Sequence, residues 1–361
     1  MQGAEPAVVR DAIERREPLP GTRGFAGELG TGRLVRDVLG RYPLFSESGD
    51  PTDASPDPTD LEDPDPVPAG RLRSDDGDAR VWTLPDPAPV DDEARAVEAV
   101  RSAVTDATEG VDGDPAVAFS GGIDSSVLAA RTDGPLYVGG FEDSHDVAAA
   151  RSAADALDRE VRVVEFTHAD LERAVPELVA ATGRSNPMDV GIALPLYLVA
   201  ERAAADGHDR LAVGQGADEL FGGYAKVASA PQDDRLESDT LRGATREVVA
   251  SLPAQLERDV LALRAAGVEP VAPFLDDRVV AAALRLPAAL LADGDDRKVG
   301  LRRAVDFLPA DVRHRDKKAV QYGSFTAREL DRLARRAGFK RRMDDHVGKY
   351  IDSLSEPATT F

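Results

Sequence analysis

Cysteine is absent from all 361 residues, which excludes disulfide frameworks, Cys-ligated zinc, iron–sulfur clusters and thiol nucleophiles. Lysine is nearly absent, with 6 residues against 38 Arg, 44 Asp and 22 Glu, and the net charge is −22. So acidic a chain repels phosphate backbones at long range, which argues against broad binding to nucleic acid or anionic membranes. Long apolar runs are missing too. The longest, Ile192 to Ala200, has nine residues and contains Pro195, well short of the roughly 20 that span a bilayer. Met1 to Pro20 is charged and proline-bearing, unlike a secretory leader. These absences lead us to expect a cytoplasmic protein with no membrane partner. An Asp-rich, Lys-poor surface also suits very high salt, where screening acts within a few Å, so a halophilic origin is expected. His145, His168, His208, His314 and His346 lack metal-ligand spacing, and no histidine metal centre is expected.

What is present suffices for a large core: 42% of residues are hydrophobic, and the length suggests two domains or one large one. Ser46 to Gly70 carries six Pro and eight acidic residues in 25 positions and reads as an acidic loop or linker. Leu34 to Phe45 and Arg80 to Leu84 read as short strands on either side of it, giving a small β-rich region over 1–90. Asp91 and Asp92 offer an N-cap to a helix running to about Thr108. From there strands and helices alternate: Ala116 to Phe119, Asp124 to Arg131, Leu136 to Gly140, Asp146 to Asp158, Val161 to Phe166, then two helices up to Asp206 and a strand Arg210 to Gly214. Apolar strands separated by long helices predict an α/β fold with a parallel sheet and helices on both faces. Beyond Tyr224 the pattern is helical, so the division expected is 1–90, 91–338 and a tail 339–361.

Ser120-Gly121-Gly122-Ile123-Asp124-Ser125-Ser126 stands between an apolar strand and a helix. Ligands of such sheets bind beyond the carboxyl ends of the strands, and a helix N-terminus offers N–H groups to anions. Two glycines admit phosphate oxygens to the backbone and three hydroxyls add donors. Asp124 suits such a site if Mg2+ bridges carboxylate and phosphate.

This run resembles the pyrophosphatase loop of the N-type ATP pyrophosphatases (PP-loop enzymes). Gly214-Gln215-Gly216-Ala217-Asp218-Glu219-Leu220-Phe221-Gly222-Gly223-Tyr224 resembles the G-E-G-A-D-E-L-F-G-G-Y signature of asparagine synthetases and related β-lactam synthetases. Val268 to Asp276 is similar to that family's L-E-x-R-x-P-F-L-D, and Arg297 to Arg302 with Leu308-Pro309 to its K-x-x-L-R…L-P. Arg36-Asp37-Val38-Leu39-Gly40 with Pro43-Leu44-Phe45, Pro68 to Gly70 and Trp82 resembles the last strands of the class II glutamine amidotransferase domain, here about half its usual length.

The resemblance implies an AMP-forming carbon–nitrogen ligase that uses ATP and Mg2+, acting on a carboxylate, most simply aspartate, and ammonia or an amine. Ser120, Gly121, Gly122, Asp124, Ser125 and Ser126 would hold pyrophosphate, and Asp124 and Asp218 would bind the metal. Phe119, Val138, Val213 and Gly214 would hold adenosine. Lys298 would neutralise the phosphates and stabilise the oxyanion. Position 2 is Gln2 rather than the nucleophilic Cys of such glutaminases, so nitrogen is expected from solution or a separate glutaminase partner.

Two departures bear on the chemistry. Gln215 replaces the family glutamate that helps manage the amine's proton, and Val271 replaces an arginine. From Arg297 to Lys349 there are 16 Lys/Arg against 7 Asp/Glu. Of these, Arg315, Lys317 and Lys318 are candidates to surround the triphosphate. The cluster Arg328, Arg332, Arg335, Arg336, Lys340, Arg341 and Arg342 admits a solvated helix face or contact with RNA. A PP-loop enzyme acting on RNA and a non-catalytic nucleotide-binding protein are the alternatives to the ligase.

Overall fold

The computed structural model describes residues 1–30, 32–229, 238–315 and 320–355. They divide into two units. One comprises Gly113–Val213, Arg258–Val271 and Leu308–Phe361; the other comprises Met1–Asp112, Gly214–Glu257 and Ala272–Phe307.

The first unit is built on five parallel strands, Ala116–Ala118, Leu136–Gly140, Val161–Glu165, Arg210–Ala212 and Glu269–Val271, in the spatial order third, second, first, fourth, fifth. Winding reverses after the third strand, so the first and fourth become neighbours and a switch point opens beside the end of the first. The helices expected between the strands are Ile123–Arg131, His145–Ala156, His168–Thr182 and Pro187–Ala205. Ser144, Thr167 and Asn186 cap three of them, Thr167 in a reciprocal box with Asp170. Val117, Leu136, Tyr137, Val127, Leu171 and Leu194 are wholly buried between these layers. The α/β fold with a parallel sheet is therefore as expected. The fifth strand is an addition that local pattern did not signal: it has three residues, and Pro270 is tolerated because the strand lies at the sheet edge.

The second unit begins with a helix, Pro6–Arg15, whose Val9 and Ala12 pack with Phe25, Val35 and Trp82 over a four-stranded antiparallel sheet. Residues 46–70, read from the sequence as a loop, instead contribute to a second antiparallel sheet made of Phe45–Glu47, Asp50–Ser55 and Pro64–Pro66. Little apolar surface supports it. The Glu47 carboxylate accepts from the N–H groups of Glu62 and Asp63 at 2.9 Å each, while Arg73 donates to the Ser46 hydroxyl and Asp65 carbonyl. Polar chain can thus order itself by hydrogen bonding where burial cannot do it. The expected strand at Arg80 to Leu84 is displaced: Gly77–Arg80 pairs, and Val81 and Trp82 both donate to the Gly70 carbonyl. Helix Glu93–Glu109 follows, capped by Asp92 as expected. Among the described residues no helix is long and apolar enough to cross a membrane.

Candidate active site

In the sheet unit, Ser120 to Ser126 joins the first strand to helix Ile123–Arg131, at the carboxyl edge where the switch point lies. Gly121 has φ +72°, and a Cβ there would stand 2.5 Å from the Ala149 carbonyl oxygen, so only glycine fits. Gly122 is the N-cap and offers no side chain, leaving the first-turn N–H groups to be satisfied by something else. Ser125 Oγ donates to the Gly122 carbonyl and accepts from the Ser120 N–H, both at 3.2 Å, which holds the loop closed on itself. Ser126 Oγ is buried with no hydrogen-bond partner among the described residues. Asp124 is buried at the start of the same helix. A backbone cradle, an orphaned hydroxyl and a hard carboxylate fit a phosphate accompanied by Mg2+.

Phe119 and Val138 lie on the neighbouring first and second chain segments of the sheet, both buried, and the Phe119 N–H is already donated to Tyr137. Val213 is likewise committed to Val271 through its N–H. Both N–H groups are thus engaged within the sheet. Val271, in the arginine's place, is buried in the fifth strand.

The other unit contains the second motif. Gly214 and the half-buried Gln215 lead to Gly216, whose φ of +87° starts the short helix Ala217–Leu220. That turn presents Asp218, whose Oδ1 lies 2.7 Å from Lys298 Nζ. Lys298 is only 6% exposed and itself adopts φ +56° as the N-cap of Val299–Ala304. A Cβ on Gly223 would fall 2.0 Å from Asp218 Oδ1 and 2.5 Å from Lys298 Cε, so the pair occupies the space that this glycine leaves. Arg297 donates to the Gly223 carbonyl at 2.8 Å and fixes the turn from below, a role its motif position did not announce. Glu219 is buried and accepts from Tyr224 Oη at 2.6 Å. Burial pushes the Glu219 carboxyl above its usual range against that hydrogen bond, so it serves the turn as a packed, tethered group.

The structure thus brings together Asp218 and Lys298, expected separately as metal ligand and phosphate neutraliser. Arg315 is placed by two bonds of its own, to the Ala149 carbonyl at 2.5 Å and Ser152 Oγ at 3.0 Å, beside the loop's Gly121 rather than free. Lys317 and Lys318 lie outside the described residues. In the basic helix, Arg328 and Arg332 pair with the buried Glu329, Arg335 and Arg341 with Asp331, and Arg336 donates to His168. Four of these cations thus pair with carboxylates of that helix, and Arg336 reaches His168 at the start of another.

The model of a family described as Asparagine synthase matches residues 97–251 and 232–353, well over half the chain. The chain belongs to the asparagine synthase family. A provisionally named glutamine-hydrolysing asparagine synthetase of Methanocaldococcus jannaschii is 28% identical over 293 residues, 71% of this chain and 53% of that protein. Asparagine synthetase B of Escherichia coli is 27% identical over 57% of this chain and 41% of its own length. A Lotus japonicus asparagine synthetase is 27% identical over 57% and 39% respectively. The chain therefore spans about half the length of these curated relatives.

Proposed function

We propose that this member of the asparagine synthase family is an AMP-forming amide ligase. A carboxylate oxygen attacks the α-phosphorus of ATP, the α–β bridging bond breaks and pyrophosphate leaves; ammonia or an amine then attacks the acyl carbon, AMP departs and the nitrogen loses a proton. Aspartate is the simplest acid for this role, and the sequence holds no cysteine with which to draw nitrogen from glutamine.

The observation that carries this reading is the Asp218–Lys298 pair, a nearly buried cation held at 2.7 Å by a carboxylate that is itself 42% exposed. Such a lysine is preorganised to meet negative charge that develops on a transferring phosphoryl group or on a tetrahedral oxyanion. Ser120 to Ser126 supply N–H and hydroxyl donors to phosphate, and Asp124 and Asp218, each in its own unit, offer the oxygen ligands that Mg2+ prefers. When bound, Mg2+ neutralises phosphate charge and polarises the phosphoryl oxygens. Gln215 has no base to offer, so proton removal in the second half-reaction is the weak step with ammonia.

The test is to incubate the chain at high salt with ATP, Mg2+, ammonia and a panel of carboxylic acids, and to measure pyrophosphate. Release that depends on one acid supports the ligase. Bound ATP without release under any acid overturns it in favour of a non-catalytic nucleotide-binding protein.

A further inference from the structure

Buried ionic contacts in the second unit converge on Arg41, a residue that none of the quoted motifs includes. Arg41, from the N-terminal β-rich region, is 5% exposed. Its Nε donates to Asp37 Oδ1 at 2.9 Å, one terminal nitrogen to the Leu275 carbonyl at 2.8 Å, and the other to Asp277 Oδ1 at 2.7 Å. Asp37 is fixed in turn by the N–H groups of Phe25, Leu39 and Arg41, and Asp277 by the N–H and hydroxyl of Thr22. The turn Pro273–Leu275 with Asp277 is thereby clamped to residues more than two hundred positions earlier in the chain.

Leu275 carries that clamp onward. A Cβ built on Gly216 would stand 2.3 Å from Leu275 Cδ2, so the leucine side chain fills the space beneath the left-handed turn that starts the Asp218 helix. Asp218 holds Lys298. We infer that Arg41 is a positioning residue: through the Leu275 carbonyl and side chain it sets the Gly216 turn, and with it the place of Asp218 and the Lys298 ammonium. The N-terminal region is then a brace for the second motif, with a mechanical rather than a chemical role. This inference rests on the proposed ligase reading only for its effect on turnover, since the placement of Lys298 can be read without any reaction.

The decisive variant is Leu275→Ala, because it leaves every Arg41 hydrogen bond in place and removes only the side chain under Gly216. Arg41→Lys is the second, since a point cation cannot serve Asp37, Asp277 and a carbonyl with a rigid fork. Each folded variant is treated with an amine-acylating reagent, and modification of Lys298 is read by peptide mass spectrometry against Lys340 and Lys349 as internal standards. Both variants are expected to label at Lys298 about tenfold faster than the wild type, as a local opening would allow, with the standards unchanged. Pyrophosphate release should fall by about the same factor while ATP affinity stays within twofold. Unchanged Lys298 labelling in folded Leu275→Ala overturns the inference. A wild type that releases no pyrophosphate defeats the ligase proposal and leaves the labelling result standing on its own.

Discussion

The two motifs solve related electrostatic problems with different materials. The Ser120–Ser126 loop relies on backbone: a glycine at φ +72°, a second glycine as N-cap and a serine that closes the loop on itself. The Gly214–Tyr224 turn relies on side chains, an ion pair packed against a glycine and a buried carboxyl tethered by tyrosine. Backbone donors recognise phosphate whatever it is attached to, whereas a positioned lysine acts on charge that appears only during reaction. The loop's backbone should therefore govern binding, and the charged side chains, Lys298 beside the second motif and Asp124 in the first, rate.

Lys298→Met should have the largest effect. Removing the ammonium leaves Asp218 42% exposed and so able to hydrate, which spares the fold. Pyrophosphate release should drop on the order of a thousandfold, about 4 kcal/mol of transition-state stabilisation, with ATP affinity little changed. A loss confined to ATP affinity would reverse the assignment of roles. Asp124→Asn, in the other half, should cost a comparable factor in rate with Mg2+ present if its carboxylate serves the metal, and near-normal release would remove it from that role.

Gly121→Ala comes next and tests the binding half. The added methyl meets the Ala149 carbonyl at 2.5 Å in a left-handed conformation, so the loop must distort, at a cost of about 1–3 kcal/mol. ATP affinity measured by titration calorimetry should weaken roughly tenfold to a hundredfold. An alanine variant with wild-type affinity would mean that the loop does not bind phosphate through its backbone.

Much of this was legible in the sequence because it is local. Strand and helix alternation from Ala116 to Ala212 follows side-chain period, and both motifs are contiguous. What escaped depends on partners distant in the chain. Helix Pro6–Arg15 gains its order from Trp82 and Phe25. Strand Glu269–Val271 exists because Arg210–Ala212 leaves it an edge, and the acidic stretch after Ser46 pairs because Arg73 and Glu47 organise it. Nothing local marks Arg41, whose burial depends on Leu275 and Asp277, 234 and 236 positions on. The candidate site divides the same way: its residue types were readable, but the Asp218–Lys298 contact spans 80 positions and was not.

Gln215→Glu changes the second motif alone. Restoring a carboxylate supplies a proton acceptor for the attacking amine, so amide formation with ammonia should rise about tenfold to a hundredfold if that step limits. ATP–pyrophosphate exchange, which needs no such base, should stay level. A lower amide yield with aspartate would show Gln215 adapted to a different acid or amine.

The smallest effect is expected from charge that belongs to neither motif. Asp331 accepts from Arg341 at 2.7 Å and from His346 Nε2 at 2.8 Å, and pairs with Arg335 at 3.0 Å, which ties helix Thr326–Arg336 to helix His346–Ser355. The Arg341 hydrogen bond, with His346 and Arg335, holds its carboxyl well below the ordinary range. A carboxyl lowered in the folded state stabilises the fold at pH values above its unfolded pKa of about 4, and that contribution declines as pH falls below it. Asp331→Asn should therefore lower the melting temperature by a few degrees at pH 7 and by less at pH 3, and salt should shrink the difference because Arg335 and Arg341 are largely exposed. Pyrophosphate release by the folded variant should match the wild type at neutral pH. If release fell as steeply as in Lys298→Met while the melting temperature held, the basic helix would have a part in the chemistry, and the division between binding loop and reacting pair would have to be redrawn to include it.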